Sequence, residues 1–568
     1  MKKMILVCCC TLLAGALLSA DSAPEAPFIK MTQEEIRAYE IDTLRRISDL
    51  ALIPPEINTS PLPKYDYDKL DYGMTIGIER TPGGRLWACW VAGEDGPKAF
   101  FVVNRSDDDG ESWSKPCLVI DAHAPDRIPM PRSTLVGNFW TSPDGALRLF
   151  FSQSMLGADG RAGTWETVCR NPDAPEPQWS APRRIWHGYL LNKPTLLSNG
   201  EWLLPIEFPV HHGRGLFKEV HKDLASLRGA NVFVSADQGQ SWSRRGCLRF
   251  PNPNWDEHMF VELKDGRVWM LARTGKGIMQ SFSADQGRTW SEPSWPNFKH
   301  PVARFFIRRL ASGRILLVKH GRTIDTEEGR SWLSAWLSED DGASWTGGLI
   351  LDERKSISYP DGFQAPDGMI YISYDRNRST DGEILLARFS EEDVLAGKIV
   401  SPRSKLKMLI SRPLKREIKI SRKVKRSDNA DAQPLLTAPV AELRVPEHAQ
   451  IRKLKLGDSI YSNRDYVFHE FPAQLEGRNF VFSDLEHTSA IGVKEGMVYA
   501  LCSTPQRNPQ DNPEKQLLDQ GFVRAAVPEF VITLINGVER PQETCSLYQK
   551  LLKAGEEISF GRWGVLAF

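Results

Sequence analysis

Short runs of apolar and β-branched residues recur along the chain, and each is opened by a polar turn that ends in glycine. Examples are TPGGRLWACW from Thr81, LKDGRVWMLA from Leu263 and APDGMIYISY from Ala365. Because glycine accepts the positive φ of a tight turn, such a turn before an apolar run predicts a β-hairpin. The six turn glycines, 47 to 66 residues apart, are Gly84, Gly145, Gly200, Gly266, Gly313 and Gly368.

A second repeat, the octapeptide S-x-D-x-G-x-x-W, interleaves with these hairpins. Its four copies are Ser106–Trp113, Ser235–Trp242, Ser283–Trp290 and Ser338–Trp345. A degenerate copy, CRNPDAPEPQWS, fills the gap at Cys169–Ser180. In such a turn the Asp carboxylate accepts backbone N–H groups and the Trp packs against the sheet, so we interpret these Asp residues as structural. Six such β-units predict an all-β fold, a six-bladed β-propeller with a smaller C-terminal β-rich domain.

The predicted domain organisation has five segments. Residues 1–23 combine a positive start, an apolar run and small residues, which is typical of a cleaved signal peptide, so we expect export to the periplasm or the cell exterior. An N-terminal extension covers residues 24–69, and the propeller covers residues 70–410. A basic and polar linker follows at 411–444, and residues 445–568 form the accessory domain.

Two stretches of the C-terminal part are typical of strands, namely YVFHEFPAQLEGRNFVFSDL and EEISFGRWGVLAF, whereas PEKQLLDQGF is typical of a short helix. The run Ser401–Arg426 contains eleven basic residues and one acidic residue. Its early part predicts the strand that closes the propeller, and its later part predicts a solvated linker. A binding patch for acidic polymers is the alternative for this run.

The composition excludes several classes of function. The 568 residues include 72 basic and 72 acidic side chains, so no overall positive field indicates nucleic-acid binding. Six cysteines follow the predicted signal peptide, and none of them forms a C-x-x-C pair, so no zinc or redox motif is predicted. One or two disulfides are possible in an oxidising compartment, and their pairing is not predicted. We expect no cofactor, no metal and no stable membrane span, and the oligomeric state is not predicted.

The four octapeptides on six β-units resemble the Asp-box, or BNR, propellers of the sialidase superfamily, over about residues 70–410. The resemblance implies an exo-glycosidase that hydrolyses terminal sialic acid, or a similar acidic sugar, from a glycan. It implies a Tyr nucleophile, because an anionic nucleophile is repelled by the substrate carboxylate, and a Glu that takes the phenol proton. It also implies arginines that clamp the carboxylate and an Asp that serves as acid/base.

The resemblance assigns three catalytic residues. The stretch SYPDG places Tyr359 just before the last hairpin, where a sialidase nucleophile lies. The stretch DEHMFVELKDGRVWMLAR is similar to the family's Glu-x-x-x-x-Glu-Leu segment and gives Glu257 as the base and Arg273 as a carboxylate-binding residue. Asp95 stands eleven residues before Ser106, where the acid/base falls, with Glu94 beside it.

The arginine clamp matches the family only in part. Arg330, with Arg322 as second choice, precedes the fourth octapeptide as the family's clamp arginine does, and Arg132 is a further substrate-binding candidate. At the position of the family's first arginine this chain has Met74. The Arg-Ile-Pro within Asp126–Arg132 follows the first octapeptide and is therefore in the wrong blade.

These departures leave two alternatives to a sialidase. The first is a propeller hydrolase or lyase that acts on uronate-containing glycans, for which His258 or His320 is a candidate lyase base. The second is a non-catalytic glycan-binding propeller, against which the pairing of Tyr359 with Glu257 argues, since a lectin needs no nucleophile and base. Other basic residues available to replace the missing arginines are Lys193, Arg304, Arg308 and Arg309.

Overall fold

The computed structural model describes residues 31–123, 130–210, 213, 215–378, 381–412, 432–436, 439–462, 466–468, 471–485, 487–503, 513–527, 530–534, 543–561 and 564–568. The predicted signal peptide, the Arg-Ile-Pro segment at 127–129 and most of the predicted linker lie outside these residues. Helix α1 (Gln33–Asp49) opens the described chain, and its first turn is closed by a capping box between Thr32 and Glu35.

Six antiparallel sheets follow one another in the described part of residues 74–411. Sheet 1 contains β1 (Met74–Arg80), β2 (Leu86–Ala92), β3 (Phe100–Ser106) and β4 (Leu118–Ile120). Sheet 2 contains β5 (Arg132–Thr141), β6 (Leu147–Met155), β7 (Thr164–Cys169) and β8 (Arg183–Trp186). Sheet 3 contains β9 (Thr195–Leu196), β10 (Trp202–Phe208), β11 (Gly229–Ser235) and β12 (Ser243–Leu248).

The second half of the array continues the same pattern. Sheet 4 contains β13 (Met259–Glu262), β14 (Val268–Thr274) and β15 (Gly277–Ser283). Sheet 5 contains β16 (Phe306–Arg309), β17 (Ile315–His320), β18 (Ser331–Ser338) and β19 (Thr346–Lys355). Sheet 6 contains β20 (Ile357–Gln364), β21 (Ile370–Arg376), β22 (Glu383–Phe389) and β23 (Lys405–Ser411), with helix α2 (Glu391–Ala396) between its last two strands.

The predicted turn glycines connect the first two strands of every sheet. All six have φ between 80° and 95°, a region that favours glycine. The hairpin predictions are therefore confirmed, and the glycine turn marks one end of each sheet.

Each octapeptide follows the third strand of its sheet and forms a closed hydrogen-bonded turn. In the second copy the Asp237 carboxylate accepts the Ser241 N–H at 2.9 Å and the Ser235 hydroxyl at 2.7 Å. The Gly239 N–H in turn donates to the Ser235 hydroxyl oxygen at 2.7 Å. The hydroxyl of Ser241 and these neighbouring groups lower the pKa of Asp237 to about 2. The predicted structural use of this Asp is confirmed.

The buried core lies between neighbouring sheets. One cluster joins apolar side chains of sheets 4, 5 and 6, and another joins those of sheets 1 and 2. The first strands of the sheets contact one another, since β1 touches β5 and β20, and β16 touches β13 and β20. The molecule is thus an all-β, propeller-like array in which the first and last sheets meet.

The described C-terminal residues form two further antiparallel sheets. The smaller has the order β24 (Glu442–Arg444), β28 (His487–Lys494) and β33 (Glu557–Gly561). The larger has the order β25 (Gln450–Lys453), β27 (Asn479–Phe482), β34 (Gly564–Ala567), β29 (Gly496–Ser503), β32 (Glu543–Leu552), β31 (Phe530–Leu534) and β26 (Tyr466–Phe468), and β30 (Val523–Arg524) pairs with β32. Helix α3 (Glu514–Asp519) lies in the stretch predicted to be helical.

The described residues contain few α-helices, and most of them are short. None of their helices combines the length and the apolar character that crossing a membrane requires. Within the same residues no group of three or more His, Cys, Asp or Glu side chains is arranged to hold a metal ion.

Candidate active site

Tyr359 and Glu257 form a buried hydrogen-bonded pair. The Tyr359 hydroxyl donates to Oε1 of Glu257 at 2.8 Å, and Nη1 of Arg273 donates to the same oxygen at 2.8 Å. The three residues are 8 %, 2 % and 6 % exposed, respectively. The structure therefore brings together the three residues of the Tyr-Glu-Arg prediction, with the phenol proton directed at a carboxylate.

Both members of the pair have a left-handed backbone, with φ of 52° at Tyr359 and 41° at Glu257. This conformation costs a non-glycine residue about 1–3 kcal/mol and is concentrated at functional sites. The left-handed conformation of Tyr359 lies in a β-bulge, where the register between β20 and β21 shifts between Ser358 and Asp361. A bulge re-aims a side chain out of the strand alternation.

Asp361 anchors the bulged strand to the centre of the molecule. Its carboxylate accepts the Ile78 N–H at 3.1 Å, the Asn138 side-chain amide at 2.9 Å and Nη2 of Arg304 at 3.2 Å. Asp361 is 1 % exposed, so these bonds to sheets 1 and 2 and to Arg304 compensate a buried charge. The position of Tyr359 is therefore tied, through Asp361, to three separate parts of the chain.

The surroundings of Tyr359 favour the neutral phenol. Burial raises the pKa of the Tyr359 hydroxyl, and the negative charge of Glu257 raises it further, while Arg273 and Arg378 act in the opposite direction. Tyr359 consequently keeps its proton until a base removes it. Glu257 is the carboxylate in hydrogen-bonding contact with that proton.

Two further guanidinium groups lie next to this pair. Arg330 precedes β18 and donates from Nη1 to the Ser358 hydroxyl at 2.6 Å. Arg378 follows β21 and lies with its guanidinium carbon 4.2 Å from the centre of the Tyr359 ring. Its Nε donates to Asp375 at 2.9 Å, whereas its buried Nη2 has no hydrogen-bond partner among the described residues. Arginines so placed suit the binding of a carboxylate.

Sequence analysis did not predict Arg378, although a signal for it was present. In the antiparallel hairpin around Gly368, Ser358 pairs with Asp375. Counting outward from the turn therefore places the DRNR segment that contains Arg378 at the Tyr359 end of sheet 6. The family pattern, by contrast, predicts this arginine in sheet 1.

The predicted acid/base Asp95 lies on the exposed loop between β2 and β3. Burial raises the pKa values of the Tyr359 and Tyr72 hydroxyls, and the negative charge of Asp95 adds to this effect. The neighbouring Glu94 accepts the Lys98 N–H at 2.9 Å and thereby shapes the loop.

The first-sheet side of the site lacks the family's arginine. Met74 begins β1, is 1 % exposed, and its sulfur accepts the Tyr72 hydroxyl at 3.7 Å. Arg132 begins β5 and donates to the carbonyl oxygens of Ala122 at 3.2 Å and Ile53 at 2.9 Å. The contacts that the structure gives for Arg132 are thus with the backbone, and its predicted role in substrate binding stays a prediction.

Two of the other basic candidates, Arg304 and Lys193, have structural partners. Arg304 is fully buried and donates to the carbonyl oxygens of Ile76 and Leu191 at 2.9 Å and 2.7 Å. Lys193 is buried beside Glu79, at 3.1 Å. The two candidate lyase bases, His258 and His320, are each bonded through Nε2 to a backbone carbonyl at 2.9 Å. Burial lowers the pKa of His258 to about 4 and that of His320 to about 3.

A sequence model described as a BNR repeat-like domain matches residues 84–372. The chain belongs to this BNR repeat-like family. The predicted resemblance to BNR propellers is thereby confirmed at the level of the BNR repeat-like domain. The BNR-matched region contains Asp95, Glu257, Arg273, Arg330 and Tyr359. Arg378 lies six residues beyond its end.

Several solved structures are similar to this BNR protein. The Hadza microbial sialidase Hz136 is 19 % identical, with a TM-score of 0.43, and the match covers 54 % of this chain and 64 % of that one, less than two thirds of its length. The intramolecular trans-sialidase from Ruminococcus gnavus is 15 % identical, with a TM-score of 0.47 and coverages of 60 % and 98 %. Trypanosoma rangeli sialidase is 12 % identical, with a TM-score of 0.39 and coverages of 88 % and 91 %. No curated protein sequence matches the chain.

Proposed function

We propose that this BNR protein is an exported exo-glycosidase of sialidase type that hydrolyses a terminal sialic acid, or a similar acidic sugar, from glycans. The observation that carries the proposal is the buried contact of the Tyr359 hydroxyl with Glu257, at 2.8 Å. A nucleophile and base in direct contact, both on left-handed backbone, are arranged for chemistry and have no purpose in a purely glycan-binding propeller. The proposal includes six blades in one ring and an accessory domain at residues 445–568.

The proposed reaction proceeds through a glycosyl–tyrosine intermediate. As the Tyr359 oxygen attacks the anomeric carbon, Glu257 takes the phenol proton and Asp95 gives a proton to the departing glycosidic oxygen. Asp95 then removes a proton from water, which attacks the anomeric carbon, and the bond to Tyr359 breaks. Glu257 returns the proton to Tyr359. Because the anomeric carbon is substituted twice, its configuration is retained.

The proposed substrate carries a carboxylate because three arginines surround the nucleophile. Arg273 is shared with Glu257, while Arg330 and Arg378 lie on the other flank of Tyr359. In this proposal Arg378, from the end of sheet 6, replaces the arginine that the family carries in the first blade. A substrate carboxylate would gain charge-assisted hydrogen bonds there.

A uronate-containing glycan is the second candidate substrate, and Met74 is the observation that favours it. Met74 is a buried apolar side chain where the family carries an arginine, so this position offers no cation to a substrate carboxylate. For this second candidate, hydrolysis is favoured over β-elimination, because His258 and His320 are buried and bonded to backbone carbonyls.

The test is sugar release from a fluorogenic aryl sialoside and, in parallel, an aryl uronide. Wild type is compared with Tyr359→Phe and with Tyr371→Phe, a control on the same hairpin whose hydroxyl donates to Asp109 at 2.5 Å. We expect turnover of the sialoside that is lost in the Tyr359 variant and kept in the control. Turnover of the uronide alone would show that the substrate is a uronide and not a sialoside. Activity of Tyr359→Phe would show that Tyr359 is not the nucleophile.

A further inference from the structure

A second carboxyl group contacts the backbone of Glu257. Oε2 of Glu207, on β10, accepts the Glu257 N–H at 2.6 Å. Glu207 is 1 % exposed, and its Oε1 has no hydrogen-bond partner among the described residues. Asp256, also 1 % exposed, precedes Glu257 in the chain. Three carboxyl groups therefore meet where the proposed mechanism uses one.

These three carboxyl groups share one cation. Arg273 pairs with Glu257 at 2.8 Å, and within the described chain no ion pair is formed by Glu207 or Asp256. On the neighbouring segments the residues opposite Glu207 are Ala230 and Tyr189, neither of which is a cation. Burying several ionised carboxylates beside a single guanidinium is unfavourable, so the arrangement favours one carboxylate and two neutral acids.

The electrostatics of the two acids agree with this arrangement. Burial raises the pKa of Glu207 well above its ordinary range, and the charges of Asp256 and Glu257 raise it further. The hydrogen bond from the Glu257 N–H and the charge of Arg273 act in the opposite direction. Burial also raises the pKa of Asp256, to about 8, with the charge of Glu257 adding to the effect. Of the three carboxyl groups, Glu257 is the one that forms an ion pair with Arg273.

We propose that Glu207 is a positioning residue for the base. As a neutral acid it holds the Glu257 backbone in its left-handed conformation and leaves Glu257 as the one ionised carboxylate at Tyr359. The inference rests on the proposed function, in which Glu257 is the base. Loss of the Glu207 proton adds a second negative charge beside Glu257, which opposes formation of the Tyr359 phenolate and removes activity at alkaline pH.

Two measurements test this proposal without turnover. Infrared difference spectra of wild type against Glu207→Gln at neutral pH report whether Glu207 is a carboxylic acid or a carboxylate. We expect the acid's carbonyl band to disappear in the variant, and a lost carboxylate band instead would overturn the proposal. Hydrogen exchange at the Glu257 amide should stay slow in Glu207→Gln, which keeps an acceptor, and should become faster in Glu207→Leu. Equal exchange in both variants would contradict the positioning role.

The effect of Glu207 on turnover is tested by measuring kcat and KM on the aryl sialoside as a function of pH. We expect Glu207→Leu to lose about 10- to 100-fold in kcat with little change in KM, since a buried hydrogen-bond acceptor is removed from the base. Glu207→Gln should retain most of the turnover at neutral pH. Its kcat should also stay high to a more alkaline pH than that of wild type. The matched control is Glu201→Gln, next to the start of the same strand, where Glu201 pairs with Arg245 at 2.6 Å. Its profile should follow wild type.

The outcomes separate this proposal from the proposed function. If kcat decreases at the same alkaline pH in Glu207→Gln as in wild type, the proposed role of Glu207 is wrong, even if the enzyme is an active sialidase. A wild type that is inactive on every acidic glycoside removes the proposed function. In that case the infrared band and the amide exchange still decide whether Glu207 is neutral and holds Glu257.

Discussion

The two sides of the site are built differently. On one side, Tyr359, Glu257 and Arg273 from sheets 4 and 6 are buried and bonded to one another. On the other side, sheet 1 contributes Asp95 on an exposed loop and the apolar Met74. The buried side holds its polar groups in fixed positions before a substrate arrives, which is the arrangement that stabilises developing charge most effectively.

This difference divides the proposed reaction between the two sides. Attack on the anomeric carbon depends on the preorganised side, where a proton is already shared between Tyr359 and Glu257. Departure of the leaving group depends on Asp95, which is solvent-exposed. Substitutions on the buried side should therefore affect every substrate, and substitutions on the exposed side should affect substrates according to their leaving group.

The largest expected effect is that of Glu257→Gln on the buried side. The amide cannot take the phenol proton, so we expect kcat on the aryl sialoside to fall by about 10²- to 10⁴-fold. The matched control is Glu262→Gln, at the far end of β13, where Glu262 accepts the Ser198 hydroxyl at 2.7 Å. Losses of similar size in both variants would show that Glu257 has no special role.

On the exposed side, Asp95→Asn is expected to depend on the leaving group. For an alkyl sialoside, whose departing oxygen needs a proton, we expect a loss of about 10²-fold in kcat/KM. For an aryl sialoside with an acidic phenol the loss should be smaller, about tenfold or less. The control is Glu94→Gln in the same loop, and a larger loss in that variant would move the acid/base role to Glu94.

Stability against pH distinguishes the two sides as well. The folded-state pKa of Asp256 is raised to about 8, above its unfolded value, so the free energy of unfolding should decrease as pH rises from about 4 to about 8. In Asp256→Asn this decrease should be smaller by about 5 kcal/mol, measured by chemical denaturation at both ends of the range. Asp95→Asn, on the exposed side, is the comparison variant. An unchanged slope in Asp256→Asn would mean that Asp256 is ionised in the folded protein.

Substrate affinity tests the arginines on either side. We expect Arg378→Gln to raise KM about tenfold, because one charge-assisted hydrogen bond to the substrate carboxylate is lost. Arg132→Gln should lower the melting temperature and leave KM unchanged, since Arg132 donates to backbone carbonyls. If KM rises in Arg132→Gln instead, the sequence-based assignment of Arg132 to the substrate is the better one.

The smallest effect is expected at the octapeptides, away from the site. Asp285 accepts the Thr289 N–H at 2.8 Å and the Thr289 hydroxyl at 2.6 Å within its own turn. Asp285→Ala should lower the free energy of unfolding by about 1 kcal/mol, measured by urea denaturation, with no change in KM. A change in KM without a change in stability would mean that this turn takes part in binding.

Local features of the sequence predicted much of the fold and one half of the site. The glycine turns and the octapeptides depend on a few adjacent residues, so their conformation could be predicted at Gly84 as well as at Gly368. The contact between Tyr359 and Glu257 was predicted through the family resemblance, because each lies in a recognisable segment. The predicted domain boundaries and the signal peptide stay predictions.

The rest of the site depends on strand register and burial, which the sequence alone does not show. Arg378 reaches Tyr359 because of the pairing between β20 and β21, and Glu207 reaches Glu257 from a different sheet. Arg132 illustrates the reverse case, in which an arginine near a family-like motif has backbone carbonyls as partners. Contacts between polar groups in the interior are set by the folded chain, so the sequence alone does not predict them.

The central claim is that Tyr359 attacks the anomeric carbon. The most direct measurement is mass spectrometry of peptides from the protein treated with a fluorinated sialosyl fluoride, whose ring fluorine slows hydrolysis of the glycosyl–enzyme bond. We expect one sialosyl adduct, located on Tyr359 and absent from Tyr359→Phe. An adduct on another residue, or none on an enzyme that turns over the aryl sialoside, would contradict the claim.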